Sequence, residues 1–185
     1  PRRDAPSHGR RRPPPPAPVG ARAPRARPRP PPVCRQEDGD TRLSAATIFV
    51  SIASYRDPQL PLTVASLFAQ AQHPERVFVG VFNQIHLQED QDCLAVDQPN
   101  LLQHVLDYNE AQGACWARGY VWNKLLAEQD FALQIDSHSR FAPNWDTQLL
   151  QMYADIGDEQ AVITHYPMGF DTETDALDPQ MYTYF

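Results

Sequence analysis

The chain has 185 residues and a net charge of −7, but that charge averages two unlike parts. Twelve of its 19 prolines lie in residues 1–32 and eleven of its arginines in residues 1–42, whereas beyond them Asp and Glu far outnumber Arg56, Arg76, Arg118, Lys124 and Arg140. An acidic body argues against nucleic-acid binding by the folded part, and without a run of about 18 apolar residues nothing is expected to span a membrane.

Residues 1–42 contain almost no large apolar side chains. Such a segment buries too little surface to offset its chain entropy, so it reads as a disordered, Pro/Arg-rich tail of polyproline character. It is compatible with contacts to nucleic acid, membranes or SH3-type partners, with an acidic-poor transit peptide, or with plain low-complexity sequence, and the last is favoured. Residues 43–185 are long enough for one domain core. Cys34, Cys93 and Cys115 are odd in number and lack C-x-x-C spacing, which favours a reducing, cytoplasmic setting over a disulfide scaffold. Cys115 reads as a buried, inert thiol, since no base is placed to activate it. The chain does not begin with Met, and Met181–Phe185 carry no closing signal, so the domain is expected to be truncated at its C-terminus.

Thr47–Ala53 (TIFVSIA) is apolar, β-branched and short, the mark of a buried parallel strand. Asp57-Pro58 then opens a helix, with Asp as N-cap and Pro in the first turn; Leu60, Val64, Leu67, Phe68 and Ala71 recur at helical spacing until Pro74. Arg76–Phe82 forms a second buried strand that opens into Asn83-Gln84, and residues 101–108 form a short third one. Gly113–Gln129 is a helix with Val121, Trp122, Leu125 and Leu126 along one stripe, and Arg118 one turn before it, aimed at the sheet end. Phe131–Ile135 is a further strand, Trp145–Ile156 an amphipathic helix, and Ala161–Thr164 a last strand. Alternating strands and helices make this an α/β fold with a mostly parallel sheet flanked by helices.

Residues 131–146 (FALQIDSHSRFAPNWD) carry the clearest chemistry. Asp136 and His138 emerge at the carboxyl end of a strand, where open α/β sheets place their ligand crevices. In extended chain, side chains two apart point the same way, so a carboxylate and an imidazole converge on one divalent cation, a mixed O/N pair suited to Mn²⁺.

Four motifs in one order, IFVSIASYRDP, RVFVGVFNQ, GACWARG and LQIDSHSRFAPNWD, resemble the N-terminal half of one glycosyltransferase family. These are the cytosolic UDP-N-acetylglucosamine transferases that modify hydroxyproline on a ubiquitin-ligase subunit, with bacterial and algal relatives. More remotely, the strand ending in DSH is similar to its counterpart in the polypeptide N-acetylgalactosaminyltransferases. The resemblance spans roughly residues 47–167 and implies a Rossmann-like GT-A domain with retaining chemistry, a UDP-sugar donor and a protein acceptor. It assigns Asp136 and His138 to a divalent metal, Mn²⁺ or Mg²⁺, held against the diphosphate. Ser51, Ala53, Tyr55 and Arg56 would seat uridine and ribose, Asn83 and Gln84 would lie near uracil, Arg118 would contact the diphosphate or ribose, and Ser137 would lie beside the donor. A third metal ligand is expected from a later His, and His165 is a candidate only by residue type.

Two rival readings stand beside this one, and the sequence speaks against the first. A nucleotidyltransferase shares the metal logic but needs a Gly-rich phosphate loop after the first strand, and SIASYRDP has none. A non-catalytic GT-A-like fragment would act as an interaction module through its proline-rich tail. Arg56 has a second reading as a surface ion-pair partner, Trp116 and Trp122 read as core, Trp145 as either core or sugar platform, and His73, His86 and His104 as scattered.

Overall fold

A computed structural model describes residue 43 and residues 45–178; the tail expected to be disordered lies outside the described residues. The elements in chain order are β1 (Ile48–Tyr55), α1 (Leu60–Gln70), β2 (Val77–Ile85), β3 (Leu101–Asp107), α2 (Ala114–Lys124), β4 (Phe131–Asp136), α3 (Trp145–Ile156), β5 (Gly169–Phe170) and β6 (Leu177–Asp178). The first four strands form one parallel sheet in the order β3-β2-β1-β4, while β5 and β6 pair antiparallel apart from it.

The burial of each strand follows from that order. β1 and β2 sit inside the sheet and are buried on both faces, which is why they read as near-continuous apolar runs. β4 lies at an edge and alternates between half-buried and exposed residues. On one face Val50, Ile52, Val79 and Val81 pack against Leu60, Val64 and Leu67 of α1 and Trp145 of α3. On the other, Phe49 and Phe82 pack against Ala117 and Val121 of α2. The step from β1 to β2 and the step from β3 to β4 cross the sheet in opposite directions, so right-handed crossovers place α1 and α2 on opposite faces. Gly80 lies where the Phe49 ring crosses the sheet: a Cβ there would stand 2.5 Å from Phe49 Cζ, so the close approach demands glycine.

The helix ends differ in detail from expectation. The N-cap of α1 is Gln59 rather than Asp57, and Pro61 rather than Pro58 lies in the first turn; Asp57 instead accepts the Gln59 N–H at 2.9 Å. α2 stops at Lys124, not Gln129, because the N–H groups of Leu125 and Leu126 both turn back to the Val121 carbonyl. α3 closes on Gly157 in the left-handed conformation, φ 67°, the usual glycine stop. Its start is bolted to the end of α1: the Trp145 indole N–H donates to the Leu67 carbonyl at 2.9 Å, and the Asp146 carboxylate accepts the Gln72 and His73 N–H groups, both at 2.8 Å. Trp145 is therefore core. The strand expected over Ala161–Thr164 does not form; residues 161–168 are irregular, with Ala161 and Ile163 only half-buried and Val162 87% exposed. Among the described residues no helix is long and apolar enough to cross a membrane.

Candidate functional site at the sheet's switch point

Chain order reverses between β1 and β4, since β1 leads away to β2 and the chain returns on β1's other side. In an open α/β sheet the crevice outside the strand carboxyl ends at such a switch point is the general ligand position. Ala53 stands opposite Asp136 across this seam, and Tyr55 stands opposite Gln84 on the β2 side. Alternation puts Ser51, Ala53, Tyr55, Gln84 and Asp136 on the face that carries α2. From α2 the Arg118 guanidinium reaches down and donates to Asp136 Oδ1 at 2.9 Å. Arg118 and Asp136 thus meet at the crevice mouth, with side chains 35% and 58% exposed. An ion pair so open to solvent contributes about 0–1 kcal/mol to stability, so its placement is not explained by folding.

The loop after β4 is held to α1 by a set of short contacts. Thr63, fully buried, donates its hydroxyl to the Ser137 carbonyl at 2.6 Å and accepts the Ser139 N–H at 3.0 Å. The Phe141 N–H donates to Ser66 Oγ at 3.1 Å, and Arg140 donates to Gln59 Oε1 at 2.7 Å while its guanidinium lies 4.3 Å from the Phe170 ring centre. Asp57 completes the clamp: its Oδ2 accepts the Ser137 hydroxyl at 2.5 Å and faces His138 Nδ1 at 2.9 Å. Burial works to raise the Asp57 pKa, but the hydrogen bonds from Ser137, His138 and the Gln59 N–H outweigh it and hold the carboxyl below its ordinary range. Ser137, a candidate for donor contact, is buried with its hydroxyl committed to Asp57.

The two residues the sequence assigns to a divalent cation each carry another contact here: Asp136 accepts from Arg118, and His138 faces Asp57. Asp136 and His138 offer one carboxylate and one imidazole, both more than half exposed, and His138 is tied back only through Nδ1, so Nε2 is its outward donor. Among the described residues no group of three or more His, Cys, Asp or Glu gathers as a cation site, and exposed His165 joins no such group.

On the β2 side the same rim is built from buried amides and hydroxyls. Gln84 donates Nε2–H to the Ser54 carbonyl at 3.1 Å, and Asn83 donates to the Cys93 carbonyl at 2.7 Å. Gln84 Oε1, Asn83 Oδ1, Ser51 Oγ, Ser54 Oγ and Arg118 Nε are buried without a hydrogen-bond partner. Tyr55 is 55% exposed on this rim. Arg56, in the left-handed region at φ 48°, turns elsewhere: it forms a two-point pair with Asp90 at 2.6 and 2.9 Å and lies 4.8 Å from the Tyr108 ring centre. The hydrogen bond from Arg56 depresses the Asp90 pKa. Arg56 therefore ties the end of β1 to the loop after β2.

Asp57, Thr63 and Asp90 were not singled out as site-building residues by the sequence. The Asp-Pro step was the one signal at Asp57, and it resembled an ordinary helix cap. Cys115 is exposed on α2 rather than buried, whereas Cys93 is buried and its thiol is pushed up to about 11, by burial first and then by Asp92 and Asp90. An open cavity of about 610 Å³, lined in part by Phe68, Pro74, Pro99 and Asn100, lies at the amino ends of β2 and β3, away from the crevice.

An open parallel α/β sheet with charged side chains at its switch point places ligands there but does not by itself name a function. The profile of one family, described as glycosyltransferase (GlcNAc), matches residues 47–105 and 94–184. These spans take in most of the chain, and the chain belongs to this glycosyltransferase family, whose chemistry requires a sugar donor and an acceptor. No curated protein and no solved structure matches it.

Proposed function

We propose that this chain forms the donor-binding part of a metal-dependent, retaining glycosyltransferase. It transfers N-acetylglucosamine from UDP-N-acetylglucosamine to a protein hydroxyl, with hydroxyproline as the acceptor implied by the motif resemblance. The observation that carries the reading is the meeting of Arg118 and Asp136 at the β1–β4 switch point, two residues before His138 in the chain. Asp136 and His138 would hold Mn²⁺ or Mg²⁺, and Arg118 supplies a fixed positive charge to the diphosphate. Ala53 and Tyr55 line the approach for uridine, with Ser51 and Gln84 buried behind them. When bound, the cation screens the diphosphate and stabilises the UDP leaving group. Retention by same-face attack of the acceptor asks for no carboxylate nucleophile. A cytoplasmic setting is part of the same proposal and rests on the odd cysteine count without C-x-x-C spacing.

The direct test is donor hydrolysis across a panel of UDP-sugars with and without Mn²⁺. Metal-dependent turnover of UDP-N-acetylglucosamine is expected, and turnover untouched by chelation would overturn the reading. In the same assay Arg118→Ala is expected to raise KM or lower kcat by about 2 kcal/mol, the worth of a charge-assisted hydrogen bond. Unchanged constants in a folded variant would make Arg118 a purely structural partner of Asp136.

A further inference from the structure

We propose that Asp57 is a positioning residue that fixes the His138 imidazole with its proton on Nδ1 and its Nε2 lone pair turned outward. The proposal rests on reading Asp136 and His138 as the cation site. An Asp carboxylate ionised at neutral pH only accepts hydrogen bonds, so the ring nitrogen 2.9 Å from Asp57 Oδ2 carries the proton. A neutral imidazole in water prefers its proton on Nε2, and the Asp57 contact reverses that preference.

Asp57 is itself held on both oxygens. Oδ1 accepts the Gln59 N–H at 2.9 Å and Oδ2 also accepts the Ser137 hydroxyl at 2.5 Å. Its side chain is 17% exposed against 60% for His138, so the fixed group is the inner one and the imidazole points to solvent. The backbone on either side of His138 is pinned by one buried hydroxyl, Thr63 Oγ1, through Ser137 O and Ser139 N. The three residues do not form a hydrolytic triad, because the Ser137 hydroxyl donates to Asp57 rather than facing the imidazole. What remains is a carboxylate that orients a histidine whose other nitrogen is free to ligate, the arrangement that sets ligand tautomer and basicity at metal centres.

Long-range ¹H–¹⁵N correlation of the labelled 185-residue chain reads the tautomer directly, with His138 assigned by the signal lost in His138→Ala. The parent is expected to show the Nδ1–H form, and Asp57→Ala to lose it. A parent ring protonated on Nε2, or an Asp57→Ala ring still protonated on Nδ1, overturns the proposal. If Asp57→Ala does not fold, Asp57→Asn and the parent spectrum decide. Mn²⁺ titration in the presence of UDP supplies the second readout: Asp57→Ala is expected to weaken Mn²⁺ by about 10–100-fold. Weakening in His138→Ala but not in Asp57→Ala overturns the positioning role. A tautomer that responds to Asp57 while neither variant weakens Mn²⁺ sustains the positioning role and overturns the cation reading instead.

Discussion

Asp136→Asn is expected to abolish metal-dependent UDP-sugar turnover while leaving thermal unfolding nearly unchanged. Asparagine keeps the size of the side chain and a carbonyl oxygen that still accepts from Arg118, but it removes the charge that holds a divalent cation. The folded state has little to lose, because the Asp136–Arg118 pair at 2.9 Å is largely exposed and such pairs contribute about 0–1 kcal/mol. His138→Ala is expected to be milder than Asp136→Asn, since water replaces one neutral ligand. Calorimetric titration of UDP with and without Mn²⁺ separates these outcomes. An Asp136→Asn chain that binds Mn²⁺–UDP as tightly as the parent would place the cation elsewhere.

Phe82→Ala is expected to cost the fold about 3–5 kcal/mol, the range for truncating a buried phenyl ring. Phe82 is 1% exposed, and its ring lies 5.1 Å from His104, 5.1 Å from Trp116 and 4.5 Å from Tyr120, centre to centre. It is the residue through which β2, β3 and α2 share one core, so its loss opens a cavity between three elements at once. Trp122→Ala, where α2 meets the edge strand β4, should cost much less: the ring is 37% exposed and donates a 3.2 Å hydrogen bond to Gln134. Urea unfolding of both variants gives the comparison. A Phe82→Ala loss no larger than that of Trp122→Ala would mean that α2 does not depend on this cluster.

The interior of the sheet was legible because β1 and β2 are buried on both faces and so announce themselves as unbroken apolar runs. Residues 101–108 were harder, since β3 is only half-buried, yet the strand forms over Leu101–Asp107. Ala161–Thr164 shows the converse. Its β-branched residues have strand propensity, but propensity counts only against a surface to pack on, and Val162 has none. At the site, the types and spacing of Arg118, Asp136 and His138 were readable, and the fold brings Arg118 onto Asp136. What pattern reading missed is long-range: Asp57 and Ser137 are 80 residues apart, and Thr63 reaches Ser137 across 74. Arg56 illustrates the same limit, because its partner Asp90 lies in a loop without periodicity. His104, which had looked scattered, is part of an aromatic stack with Phe82 and Tyr120.

The strand order sets an order of difficulty for assembling the sheet. β1 finds β2 after a short excursion through α1, with Ile48 beside Val77, whereas Ile48 meets Phe131 of β4 only after β2, β3 and α2 have intervened. At the start of that second seam, Thr47 and Asp130 are locked together across 83 residues by backbone and hydroxyl bonds of 2.9 and 2.8 Å. Loop-closure entropy grows with the logarithm of length, so a span roughly three times longer costs about 1 kcal/mol more to close. Chain entropy therefore favours β1 zipping to β2 first and leaves its other edge waiting for β4. The strand that carries Asp136 is thus the most expensive to recruit, and any loosening of the Thr47–Asp130 latch releases the sheet's edge before its interior.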